Sequence, residues 1–162
     1  MDGNTGDTGA PVGAEFTLAD AVALARRAHD GQLDKGGKPY IAHPLRVMAA
    51  VDGDAAKMAA VLHDVIEDTE VSAADLRHAG CPERVVVAVV ALSKEPREPL
   101  ESSIARAAAD PIALVVKRAD IADNRSEVRL GQLDPATQVR LRAKYERSLD
   151  LLERFAAHHA HS

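Results

Sequence analysis

Apolar residues recur at three- and four-residue steps along most of the chain, the period of helices that bury one face. Leu18, Val22, Leu24, Ala25 and Ala28 form the first stripe, after a T-x-x-D start signal at Thr17 and Asp20 and ahead of a turn near Gly31. Pro44, just after His43, suits the first position of a second helix. Asp54 reads as the cap of a third, running through Ala55, Met58, Ala59, Val61 and Leu62 to Val65 and Ile66. Ser72 opens a brief helix closed by Gly80. The run Arg84 to Leu92 is β-branched enough for a strand, but Pro82 and Glu83 read as the first turn of a helix. Asp110-Pro111 introduces Ile112 to Val116 in the same way, and both runs are assigned as helix. Asp134-Pro135 starts the last helix, with Leu141, Tyr145, Leu149, Leu152 and Ala156 on one face. The pattern predicts an all-α, single compact fold of about seven to nine helices.

The ends of the chain are different. Residues 1–14 carry four glycines, one proline and little that is apolar, which predicts a flexible N-terminal tail. Residues 158–162, with His158, His159 and His161, read as a solvated, His-containing tail, leaving 15–157 as the domain. A chain of 162 residues suits one core, and with only 2% aromatics that core must be filled by Ala, Val, Leu and Ile. No apolar run approaches the ~20 residues needed to cross a bilayer. The first residues have neither a basic start nor an apolar centre, so membrane spanning and secretion are not expected. The single cysteine, Cys81, excludes an internal disulfide and a cysteine-based zinc site and fits a cytoplasmic location. A net charge of −5 gives no long-range attraction for nucleic acid or an anionic membrane. An anionic substrate would need local help, from a metal ion or a few basic residues.

Three segments carry candidate chemistry. H-D-V-I-E-D at 63–68 packs four ionisable groups into six residues, with His63 and Glu67 four apart, and Asp64 and Asp68 likewise. Taken alone it reads equally as an acid-rich helix end. KGGKPYIAHP sets His43 beside a basic glycine loop, and VVKRADIADN sets Asp120, Asp123 and Asn124 after an apolar run. Together His43, His63, Asp64 and Asp120 make a mixed nitrogen and oxygen set for a divalent ion, and manganese, iron, zinc or magnesium suits it by ligand type. Lys35, Lys38 and Arg46 are candidates for a local positive field, though Lys38 and Arg46 also suit ordinary surface charges. His29 reads as packing or closing its helix, Asp123 as a helix-end cap or a catalytic group, and Cys81 as an inert thiol.

The pieces Ala28-His29, Gln32, KGGKPYIAHPLRV, AAVLHDVIEDT and KRADIADN, in that order, resemble the HD-domain metal-dependent phosphohydrolases, and within them the hydrolase domain of the RelA/SpoT group and its free-standing small alarmone hydrolases. The resemblance spans about Phe16 to Ala156. It implies an HD-domain helical fold and assigns His43, His63, Asp64 and Asp120 to four metal-ligand positions, in a site that usually holds manganese. Glu67 and Asp68 fall on the catalytic acidic pair that activates the attacking water. Asn124, Lys35 and Tyr40 fall on positions around the nucleotide, and Arg46 joins them as a substrate-binding candidate. The implied reaction removes the 3′-pyrophosphate of guanosine tetra- or pentaphosphate, leaving GDP or GTP, with no synthetase activity.

Asp34 stands where these hydrolases usually carry an arginine, Arg118, Ile121 and Asp123 differ from the usual residues around the fourth ligand, and Glu127 replaces a smaller one. These departures keep open another nucleotide, such as an adenine alarmone or NADPH. A non-catalytic metal-binding nucleotide sensor is the reading from a different class. A small-molecule nucleotide is the expected partner, and the oligomeric state is left open.

Overall fold

The computed structural model describes residues 15–160, so the segment 1–14, expected to be a tail, and residues 161–162 lie outside the described residues. The elements are α1 (Leu18–Ala28), α2 (Ala42–Ala49), α3 (Asp54–Leu62), α4 (Val65–Asp68), α5 (Ala73–His78), α6 (Glu83–Leu92), α7 (Leu100–Ala108), α8 (Pro111–Asn124), α9 (Glu127–Leu130) and α10 (Pro135–Ala160). Among the described residues the only extended pairing is an isolated bridge between Leu33 and Pro39, so the fold is all-α as the pattern predicts. The last helix carries His158 and His159 on its final turn.

The helix starts follow local chemistry. Thr17 accepts from the Asp20 amide at 3.2 Å and Asp20 accepts from the Thr17 amide at 2.8 Å, satisfying two N–H groups at the start of α1. The Asp110 carboxylate accepts from Ile112 and Ala113 at 2.9 and 2.8 Å, with Pro111 at the first helical position of α8. The β-branched run is helical: Val85, Val86, Ala88, Val89, Ala91 and Leu92 of α6 are all buried. Burial on several sides outweighs the weak strand preference of the valines.

α3 lies at the centre, packed by α1, α2, α6 and α8. One apolar cluster gathers Val47, Met58, Val61, Leu62, Val85, Val89 and Val116, and a second joins Ile104 of α7, Ile121 of α8 and Leu152 of α10. α8 therefore belongs to both clusters, with Asp120 next to Ile121 where they meet.

Three local differences from the pattern matter. α7 occupies a stretch to which the pattern assigns no element; Leu100, Ile104, Ala107 and Ala108 supply its apolar face, diluted by Glu101, Ser102 and Ser103. α2 begins at Ala42, which puts His43 inside its first turn. The third helix does not run to Ile66 but stops at Leu62, followed by a turn at His63 and Asp64 and the single turn α4. The cause is the His63 ring, whose Nδ1 takes the Ala60 carbonyl at 2.6 Å, the acceptor that an unbroken helix gives to the Asp64 amide.

Candidate functional site

The break after α3 brings adjacent side chains to one point. Neighbouring residues of a regular helix point about 100° apart. Here His63 Nε2 and Asp64 Oδ2 are 3.0 Å apart. From α2, His43 Nε2 reaches to 2.9 Å of Asp120 Oδ1 and 3.8 Å of Asp64 Oδ2, and His63 Nε2 lies 3.2 Å from the same Asp120 oxygen. His43, His63 and Asp120 are buried, and their ligand-type atoms all lie within 4.8 Å of one another. The structure thus brings together the four residues that the sequence nominates for a metal.

The hydrogen bonds behind these atoms test whether a cation fits. A carbonyl can only accept, so His63 Nδ1 donates to Ala60, and in the neutral ring Nε2 carries a lone pair. His43 Nδ1 faces Asp123 Oδ2 at 2.6 Å, a carboxylate that likewise calls for a donor. Both Nε2 lone pairs then point at carboxylate oxygens, an arrangement that a proton or a metal ion must hold together. Asp120 is further tied by Lys117 Nζ on Oδ2 at 3.0 Å and by Asn124 Nδ2 on Oδ1 at 3.1 Å. Tyr40 donates its hydroxyl to Asp64 Oδ2. Two imidazole nitrogens and two carboxylates with their outer bonds already made suit a divalent ion.

Without a metal the cluster shares protons unevenly. Burial disfavours the His63 imidazolium, but Asp64 and Asp120 outweigh it and push its pKa well above the usual value. Burial raises Asp64 and Asp120, yet the facing imidazoles, and for Asp120 first Lys117, leave both carboxyls below the usual range. Burial raises Asp123 as well, and its bonds to His43 and Arg46 bring it below the usual range.

The cluster forms one wall of a cavity of about 470 Å³. Glu67 and Asp68 of α4 also line it. Burial raises the pKa of each, and Asp64 raises it further, which suits a carboxylate poised to take a proton. Lys35, Tyr40 and Asn124 also line the cavity. Arg46 does not: its Nε and Nη2 donate to Asp123 at 2.8 and 3.1 Å, behind His43, so it is placed apart from the substrate-binding candidates. Lys38 does not line the cavity either.

The cavity is also lined by cations, and sequence reasoning missed most of them. Lys94, Lys117, Arg129 and Lys144 join Lys35 there, together with Tyr145, Ser148 and Ser103. Burial lowers the Lys144 pKa, and Lys35, Lys94 and Lys117 lower it further, so these ammonium groups share one field. Of them, Lys117 had a signal in its place three residues before Asp120; Lys94 in the loop after α6, Arg129 on α9 and Lys144 on α10 are brought together only by the fold.

The remaining candidates have structural roles. Asp34 Oδ1 accepts from the Gly36 and Lys38 amides, both at 2.9 Å, closing the glycine loop around Gly37, whose φ of +82° favours glycine. His29 caps α1, with Nδ1 at 2.8 Å from Gln32 Oε1. Glu127 pairs with Arg142 at 2.6 Å on the surface, and Arg118 pairs with Glu153. Burial pushes the Cys81 thiol up to about 11, as an inert thiol requires. Among the described residues no helix is long and apolar enough to cross a membrane.

The chain is similar to known proteins. The GTP pyrophosphokinase of Streptomyces coelicolor is 37% identical over 121 residues, 67% of this chain and 14% of that protein. The bifunctional (p)ppGpp synthase/hydrolase SpoT of Escherichia coli is 46% identical over 63 residues, 36% of this chain and 9% of that protein. The chain thus spans a small fraction of the length of these curated relatives. A solved structure described as a metazoan ortholog of SpoT that hydrolyses ppGpp superposes with a TM-score of 0.70 at 25% identity, over 83% of this chain and 84% of that one. Residues 21–111, which include His43, His63, Asp64, Glu67 and Asp68, match the family model described as HD domain, and the chain belongs to the HD-domain family.

Proposed function

We propose that this protein is a manganese-dependent hydrolase that removes the 3′-pyrophosphate of guanosine alarmones, (p)ppGpp, giving GDP or GTP and pyrophosphate. The observation that carries the reading is the pairing, in one cavity, of the buried His43, His63 and Asp120, with Asp64 beside them, and several lysines. The likeness to relatives named as (p)ppGpp hydrolases supports the substrate.

His43, His63, Asp64 and Asp120 hold the metal in this reading. A divalent ion there supplies Lewis acidity toward a phosphoryl oxygen and toward water. Glu67 takes the proton of the attacking water, and Asp68 orients that water or shares the task. The water oxygen bonds to the phosphorus attached to the ribose 3′-oxygen, the bond between that phosphorus and the 3′-oxygen breaks, and the proton returns to the departing oxygen. Lys35, Lys94 and Lys144 neutralise the phosphates that lie away from the donor set, and Tyr40 and Asn124 hold Asp64 and Asp120 in place from the nucleotide side.

Asp34 favours a second reading, another phosphorylated nucleotide. It lines the cavity, and its negative charge disfavours phosphate nearby and leaves that part of the cavity to a base or ribose. The test is product analysis of the metal-stripped protein incubated with ppGpp, pppApp and NADPH, with and without manganese. Manganese-dependent release of pyrophosphate from ppGpp is expected. Cleavage of the adenine compound or of NADPH alone replaces the guanosine reading, and tight binding without turnover of any compound leaves a sensor.

A further inference from the structure

Asp123 and Arg46 are not needed by the chemistry above, yet they are among the most tightly bonded side chains near it. His43 and Arg46 lie three residues apart on α2, and Asp120 and Asp123 lie three apart on α8, so each pair shares a helix face. The two faces meet as a closed set of bonds. Asp120 Oδ1 stands 2.9 Å from His43 Nε2, and Asp123 Oδ2 stands 2.6 Å from His43 Nδ1. Arg46 then holds Asp123 with both arms of its guanidinium, Nε on Oδ1 at 2.8 Å and Nη2 on Oδ2 at 3.1 Å. One helix therefore grips both nitrogens of the His43 ring.

We propose that Asp123, held by Arg46, is a positioning residue that fixes His43 with Nδ1 protonated and Nε2 free, and thereby sets the affinity of the centre for a divalent ion. The inference rests on the reading of His43 as a metal ligand. A ring nitrogen binds a metal through its lone pair, and a carboxylate on the opposite N–H both selects that tautomer and raises the basicity of the ligating nitrogen. His63 needs no such residue, because the Ala60 carbonyl already fixes its ring. His43 has no backbone acceptor in that role, so the task falls to Asp123. Arg46 keeps Asp123 aimed; its two bonds are parallel, a geometry that lysine cannot reproduce.

The test measures metal binding itself. The metal-stripped full chain is titrated with manganese by calorimetry, alongside Asp123→Asn, Asp123→Ala, Arg46→Ala and His43→Ala, with melting of each metal-free protein as the check on folding. Loss of a group that orients a metal-bound imidazole weakens binding by about 10- to 100-fold. Asp123→Ala is expected in that range, Asp123→Asn, which still accepts a hydrogen bond, above it in affinity, and Arg46→Ala less affected than Asp123→Ala. In zinc-loaded protein the His43 Nδ1 proton should give a downfield, slowly exchanging NMR signal that disappears in Asp123→Ala. A merely structural role would lower the melting temperature and leave both the metal affinity and that signal in place. Should Asp123→Ala fail to fold, Asp123→Asn decides, since it keeps the shape of the side chain. Asp123 variants that bind manganese within about twofold of the parent, while His43→Ala loses it, overturn the proposal; retained binding in His43→Ala overturns the metal reading beneath it.

Discussion

At one end of the cavity, His43, His63, Asp64 and Asp120 are held by side chains and backbone groups that use up their outward-facing atoms. Elsewhere in the lining of the same cavity, Lys35, Lys94 and Lys144 have no carboxylate partner among the described residues. The first end is fixed before any ligand arrives, because a divalent ion requires its donors within a few tenths of an ångström. The lysine end has a charge to offer and rotatable stems to offer it with, which suits phosphates of more than one reach. Lys117 stands between them, paired with Asp120 while contributing to the field at Lys144.

The sharpest way to break this contrast is to disable the rigid end. Asp64→Ala should lose bound metal and turnover together, by roughly 10³-fold or more in kcat for a step that depends on the ion. Metal content after dialysis and initial rates check it. Glu67→Gln should separate the two properties, keeping the metal while kcat falls about 10²- to 10⁴-fold, the usual contribution of a general base. Full activity in Glu67→Gln would remove it from that role.

Substitutions at the cationic end should act on binding. Lys94→Ala and Lys144→Ala are each expected to raise KM about tenfold, the loss of one charge-assisted hydrogen bond, with kcat little changed and metal content intact. An equal fall in kcat in both variants would mean that the lysines act on the reacting phosphate, and the contrast would fail.

The smallest expected effect is on stability and pH. The raised pKa of His63 means that the metal-free protein gains from its imidazolium at lower pH and loses that gain as the pH rises through the raised value. A metal must displace the same proton, so manganese affinity should increase with pH and binding should release protons. At 100 times Kd the ion stabilises the fold by about 2.7 kcal/mol, a rise in Tm of roughly 5–11 °C for a domain of this size. Calorimetry in buffers of different ionisation enthalpy, and melts at pH 6 and 8, read both.

The two ends also differ in how far the sequence disclosed them. All four rigid-end donors stand in three short motifs, around His43, His63-Asp64 and Asp120, and the all-α fold follows from stripes such as Leu141, Tyr145, Leu149 and Leu152. What the sequence hid is non-local. Arg46 reads as a candidate for substrate, and only its approach to Asp123, 77 positions away, reveals its other partner. Lys144 on α10 reaches the cavity because α10 packs along α7 and α8, and α7 itself was obscured by polar residues between Leu100 and Ile104. The break at His63 was hidden for a different reason, since a side chain captures a carbonyl that periodicity assigns to the backbone.

The contrast stands or falls on whether the rigid end holds a metal ion. Anomalous diffraction at the manganese edge, from crystals of the protein grown with manganese, tests it most directly. The expected result is a peak bounded by His43, His63, Asp64 and Asp120, and lost in Asp64→Ala. Manganese absent from that position in well-ordered crystals, or bound only elsewhere on the surface, would contradict it.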